Sequence, residues 1–202
     1  DMDTSGGVAG ALGARLLSPV GVPAEGTSSA PRSVNRVEDM AFIQFTSGST
    51  GLPKAIVVEH GQLLEHIHAI ADRAAFVDRD VLVSWLPLHH DMGFVGMLAP
   101  VHFGCGLVLV PTDQFVKNPA VWLNAISRYK GTISPAPTFA YQLVSKRAFA
   151  KRLAPDTDLS SWRFAWIGAE PVSPNVVEDF EQAFAQFGFR TPALAPSSGI
   201  AE

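Results

Sequence analysis

The chain has 202 residues, 47% hydrophobic and 17% charged, with a formal net charge of -4 and a single cysteine. That composition suits a folded core rather than a disordered chain, and its lysines and arginines stand singly, so no basic stripe is offered to a nucleic acid. No apolar run reaches the ~18 residues of a membrane span. Cys105, inside an apolar run, reads as a buried and inert thiol. A lone cysteine excludes an internal disulfide framework, and the first residues carry no basic-then-apolar targeting pattern, so the expectation is a cytoplasmic protein.

Residues 1–37 are rich in Gly, Ala, Ser and Pro and read as a connector, with one short helix expected over 8–17. From 38 to 202 short apolar runs alternate with helical periodicity. Strands are expected at 41–45 and 55–58, a helix at 62–76, a strand at 81–85, a helix at 92–103 and a strand at 107–110. Helices follow at 119–129 and 137–149, then a strand at 163–167 and a helix at 174–187. Ser173 is placed as the N-cap of the last helix, Pro174 at its first position and Gly188 at its end. This alternation predicts an α/β fold, a largely parallel sheet flanked by helices. The chain runs out at 197–202 directly after an apolar segment, so it is expected to be a fragment of a larger protein.

Between the first two strands lies a turn holding Thr46, Ser47, Gly48, Ser49, Thr50, Gly51 and Lys54. Glycines let the backbone approach an anion, hydroxyls add donors, and the lysine supplies a mobile positive charge, so the turn is built to hold phosphate; the alternative is an ordinary Ser/Gly hairpin loop. It is not a Walker loop: the glycines are too close together and no hydroxyl follows Lys54. Where the 81–85 strand gives way to a helix stand His89, His90 and Asp91. Adjacent histidines are expected to point apart, which disfavours a metal site and leaves two readings. One is a substrate contact; the other is structural, with Asp91 capping the helix and a histidine packed on Trp85. Gly168, Ala169, Glu170 and Pro171 end the 163–167 strand, either as a small-residue platform for a flat ring or as a plain strand-to-helix turn. Ser198 and Gly199 belong to a second small-residue loop that ends in Glu202, a carboxylate suited to a divalent cation.

Five ordered blocks carry a family resemblance: TSGSTGLPKAIVVEHGQLL, SWLPLHHDMGFVG, WLNAISRYKGTISPAPTFAYQL, DLSSWRFAWIGAEPVSPNVVEDF and SSGIAE. Together they resemble the adenylate-forming superfamily of acyl-CoA synthetases, peptide-synthetase adenylation domains and luciferase, and within it most of all the fatty acyl-AMP ligases. The resemblance implies that residues 38–202 are the central part of an AMP-binding N-terminal domain. It implies ATP and Mg²⁺ as cofactors, a fatty acid as substrate and an acyl carrier protein as acceptor, with coenzyme A or a non-catalytic binding role as alternatives. By position, Thr46 to Lys54 match the loop for the ATP β- and γ-phosphates, and His90 the residue that closes over the acyl carboxylate. Gly168, Ala169, Glu170 and Pro171 match the adenine-side turn, and Glu202 the magnesium-binding glutamate. Ser198 stands where the family usually has a tyrosine that stacks on adenine, and Ala55 where a glycine usually follows the lysine. The later ribose-binding aspartate and the small domain with its catalytic lysine have no counterpart, so this piece is expected to be inactive alone.

Overall fold

A computed structural model of the chain describes residues 15–17, 36–45, 54–146, 149 and 152–197. In chain order its main elements are β1 (Arg15–Leu17), β2 (Met40–Phe45), β3 (Ala55–Glu59), α1 (His60–Ala74), β4 (Val81–Ser84), α2 (Asp91–Phe103), β5 (Gly106–Leu109), α3 (Thr112–Lys117), α4 (Ala120–Tyr129), β6 (Ile133–Pro137), α5 (Thr138–Val144), β7 (Phe164–Gly168), α6 (Pro174–Phe184) and β8 (Leu194–Pro196). The described residues fall into two units, one of 36–45 and 54–76, the other of 15–17 and 77–197.

In the smaller unit the β-branched and aromatic runs on either side of the hydroxyl-rich turn pair antiparallel, with Ile43 opposite Val57 and Phe45 opposite Ala55. Helix α1 starts directly after β3, where Gln62 Oε1 accepts from the Glu59 amide at 3.0 Å. Gly61 is packed against Val37 and donates its amide to the Val37 carbonyl at 2.8 Å.

In the larger unit six strands lie in the order β1-β5-β4-β6-β7-β8. The last five of that order run parallel, and β1 is an antiparallel edge. Arg15–Leu17 is therefore a strand and not part of a helix; the rest of 8–17 lies outside the described residues. The free edge of β5 offers a ladder of backbone groups to the apolar Leu16 and Leu17, and that pairing outweighs a weak helical pattern.

From β4 the chain crosses by α2 to β5 on one side, then by α3 and α4 back over to β6 on the other. The order reverses between β4 and β6, and there the two strands separate: Leu82 opposite Ile133 is their single register pair. Strand β6 falls where the sequence predicts the lead into a helix at 137, because two prolines disguise it. Pro135 and Pro137 have no N–H to give. In place of a ladder bond the Ser134 hydroxyl donates to the Val83 carbonyl at 2.5 Å and itself accepts from Trp122 Nε1 at 2.8 Å. The helix expected from 137 begins one residue later, at Thr138, and α3 went unpredicted because six residues are too short to show a period.

The core is aromatic. Trp122, Tyr141, Trp162, Phe180, Phe184 and Phe189 are all buried, with edge-to-face contacts such as Trp122 on Tyr141 and on Trp162, each at 5.3 Å between ring centres. Each such pair adds about 0.5–1.5 kcal/mol beyond the area it buries. Two buried polar atoms, Trp85 Nε1 and Asn118 Oδ1, have no partner among the described residues. Cys105 is buried, as expected; its thiol donates to the Val77 carbonyl at 3.2 Å, and burial, with the charges of Asp80 and Asp78, pushes its pKa up. Among the described residues no helix is long and apolar enough to cross a membrane.

At the amino edge of the sheet one carboxylate ties three strands. Asp80, 2% exposed, accepts from Arg163 through both oxygens, from Thr132 Oγ1 at 2.7 Å and from the Val77 amide at 2.8 Å. Burial alone would raise its pKa; the hydrogen bonds from Arg163, Thr132 and Val77 outweigh burial and hold the carboxyl below its ordinary value of 3.8. A carboxyl depressed in the folded state stabilises fully above its unfolded value and loses that contribution as pH falls below it. Asp80→Asn should cost about 3 kcal/mol at neutral pH by denaturant unfolding, near the low end for a broken buried pair because the Arg163 side chain is 37% exposed. The gap between wild type and variant should narrow as the pH is taken below 3.8.

Candidate functional site

In an open parallel sheet, ligands bind outside the carboxyl ends of the strands, at the point where strand order reverses. Here that point is the split between β4 and β6. Emerging on this edge are the 85–90 segment after β4, Val110 and Pro111 after β5, Thr138 and Phe139 after β6, Ala169 to Pro171 after Gly168 ends β7, and Ser197 after β8.

His90 is the N-cap of α2, with extended backbone (φ -98°, ψ 142°), and its carbonyl accepts the Phe94 amide at 2.8 Å. Its side chain makes no capping bond and is exposed. Three expectations for this block are corrected. Asp91 is the first helical residue rather than the cap, its Oδ1 accepting the Met92 amide at 2.8 Å. Trp85 stacks on Phe115, ring centres 3.6 Å apart and planes within 3°, and not on a histidine. Nor do the histidines point apart: the turn into α2 brings the His89 and His90 rings to 4.5 Å. Among the described residues no group of three or more His, Cys, Asp or Glu converges as metal ligands. Gly93 allows this turn, since a Cβ there would lie 2.4 Å from the Pro87 carbonyl oxygen.

The corner after β7 is the most tightly determined part of the edge. Gly168 is buried, and a Cβ on it would meet the Ser197 carbonyl oxygen at 2.5 Å and its Oγ at 2.6 Å. Ala169 follows in the left-handed region at φ 62°, where an L-residue is strained by roughly 1–2 kcal/mol. Ala169, Glu170 and Pro171 are exposed, so the corner presents small side chains and backbone to solvent. It is held from α5: Thr138 Oγ1 donates to the Glu170 carbonyl at 3.4 Å, and the buried Tyr141 hydroxyl to the Trp166 carbonyl at 3.3 Å. Trp166 Nε1 donates to Ser197 Oγ, and the Ser197 amide to the Ile167 carbonyl at 2.8 Å.

His90 and the Gly168 corner thus share one edge, beyond the ends of β4 and β7 with β6 between. Lys54, exposed just before β3, belongs to the smaller unit. Thr46, Ser47, Gly48, Ser49, Thr50, Gly51, Ser198, Gly199 and Glu202 lie outside the described residues. The sequence marks Ser197 as the start of the second small-residue loop and Trp166 as part of the strand that ends in Gly168, but gives no site role to either, nor to Thr138 or Tyr141; the one available signal is a tryptophan two residues before a strand-ending glycine. At the start of α6, Ser173 occupies the N-cap position as expected, but its hydroxyl makes no cap bond and its carbonyl takes the Val176 amide at 3.0 Å.

Comparison with known proteins agrees with this architecture. The profile of the family described as AMP-binding enzyme matches residues 10–193. The chain is 39% identical over 166 residues to JamA of Moorena producens, a medium-chain-fatty-acid (acyl-carrier-protein) ligase, covering 82% of this chain and 28% of that protein. It is 32% identical over 217 residues to the long-chain-fatty-acid AMP ligase FadD23 of Mycobacterium tuberculosis, covering 98% of this chain and 37% of that one. A crystal structure of fatty acyl-adenylate ligase from L. pneumophila, in complex with acyl adenylate and pyrophosphate, superposes with a TM-score of 0.76 at 42% identity, over 83% of this chain and 30% of that chain. The chain spans a minority of the length of each.

Two substitutions probe the corner. Gly168→Ala should destabilise by about 1–3 kcal/mol, since neither the Ser197 backbone nor the strand beneath it can yield cheaply. Ala169→Gly should raise stability by up to about 1 kcal/mol by relieving the left-handed strain, less the extra freedom glycine has when unfolded. Thermal melting of both variants checks the opposite signs.

Proposed function

The chain belongs to the AMP-binding enzyme family, and on that premise we propose that the protein containing it is an ATP-dependent fatty acyl-AMP ligase, with residues 38–202 as the central part of its large N-terminal domain. The observation that carries the proposal is the carboxyl edge of the parallel sheet. Its strand order reverses between β4 and β6, with His90 on one side of the split and the strained small-residue corner on the other. Relatives named as fatty-acid ligases of AMP and acyl-carrier-protein type support the substrate and the acceptor.

In this reading a carboxylate oxygen of the fatty acid attacks the α-phosphorus of ATP. A phosphorus–oxygen bond forms to the acyl group, the bond to the β-phosphate bridging oxygen breaks, and acyl-AMP and pyrophosphate result. The acyl group then passes to an acyl carrier protein, the bond from its carbonyl carbon to the phosphate oxygen breaking as AMP leaves. The physical obstacle is that two anions must meet: unit charges 4 Å apart repel by about 1 kcal/mol in water and about 4 kcal/mol at an effective dielectric of about 20. The site therefore needs fixed positive charge and oriented dipoles more than it needs a nucleophile.

Lys54 and the N–H and hydroxyl groups of Thr46, Ser47, Gly48, Ser49, Thr50 and Gly51 hold the β- and γ-phosphates. His90, at the amino end of the 13-residue helix α2, meets the acyl carboxylate where the helix dipole favours negative charge. Gly168, Ala169, Glu170 and Pro171 face the adenine, and Ser198 and Gly199 are assigned to the same nucleotide. Mg²⁺ is assigned to Glu202, a hard oxygen ligand of the kind it prefers, and would screen the phosphate oxygens.

The full-length protein given ATP, Mg²⁺ and fatty acids of graded length should release pyrophosphate and accumulate acyl-adenylate even when coenzyme A is present. Lys54→Ala should lower kcat/KM for ATP by about a hundredfold, the usual cost of one donor to developing charge. Absence of pyrophosphate at every chain length would overturn the reading, and acyl-CoA as the product would replace it with an acyl-CoA synthetase.

A further inference from the structure

We propose that Trp166 is a positioning residue for the nucleotide, acting through a hydrogen bond from its indole N–H to Ser197 Oγ; the inference rests on the ligase reading above. Strand β8 is only three residues long and, among the described residues, pairs with β7 alone, so backbone pairing holds it weakly. Its last ladder bond runs from the Ser197 amide to the Ile167 carbonyl, 2.8 Å. Immediately beyond Ser197 the chain enters 198–202, the segment assigned to adenine and to Mg²⁺. Whatever fixes Ser197 therefore fixes where that segment departs.

Three groups of β7 converge on this one serine. The Trp166 indole N–H reaches its hydroxyl, the Ile167 carbonyl takes its amide, and the Cα face of Gly168 lies so close to its carbonyl and hydroxyl oxygens that no side chain fits between. Gly168 is also the first residue of the adenine-side corner, so corner and departure point form one block. Trp166 is itself anchored from behind, its carbonyl accepting from the fully buried Tyr141 hydroxyl. A phenylalanine at 166 would keep most of the ring volume yet could not donate. The indole's part is thus to aim a strand end, and it need not touch the nucleotide.

Steady-state kinetics of the full-length protein tests this. Trp166→Phe and Ser197→Ala should each raise KM for ATP by about three- to tenfold, the range for losing one hydrogen bond, while KM for the fatty acid stays at the wild-type value. The double variant should be no worse than the worse single one, because both remove the same bond. Ser197→Ala, which loses only a half-buried hydroxyl, carries the test if Trp166→Phe melts early. Variants with wild-type KM for ATP, additive losses, or equal rises in KM for both substrates overturn the positioning role while leaving the ligase reading standing. A wild-type protein that releases no pyrophosphate removes the ligase reading and this inference with it.

Discussion

The larger unit is pinned at one edge and parted at the other. At the amino edge Asp80 gathers Arg163, Thr132 and the Val77 amide around a buried carboxylate, binding the starts of β4, β6 and β7. One register pair later β4 and β6 separate. A parallel sheet whose order reverses must open somewhere, because successive crossovers leave on opposite sides. The charged cluster keeps that opening from running the length of the sheet, and the Ser134 hydroxyl, bridging Trp122 and the Val83 carbonyl, stops it midway.

The alternation of apolar runs with helical periods was enough to predict a parallel α/β sheet, since buried central strands such as β4, β5 and β7 read as continuous apolar stretches. What escaped was local. Strand β6 hid behind two prolines that are tolerated because a serine side chain takes over one backbone contact. Arg15–Leu17 became a strand only because β5 had an open edge, information that lies ninety residues away in the chain. The N-cap position of α2 falls on His90 rather than Asp91, a one-residue shift that periodicity cannot resolve.

The candidate site was legible by residue type but not by support. Gly168 to Pro171 and His90 stand out as unusual residues at strand ends, and the fold puts both on one edge. The groups that hold the corner, Thr138, Tyr141 and Trp166, look like ordinary core residues in a sequence, because burial and hydrogen bonding to a carbonyl leave no periodic trace. Left-handed Ala169 was equally invisible, for its strain is paid by that surrounding frame.

The absent side chain of Gly168 and the oxygens of Ser197 occupy a single pocket of space, although 29 positions separate them in the chain. Neither residue can therefore drift on its own: bulk gained at one must be surrendered by the other, or the two outer strands must part. In related chains these two sites should change together, and an engineer wishing to widen the adenine-side corner has to redesign both at once.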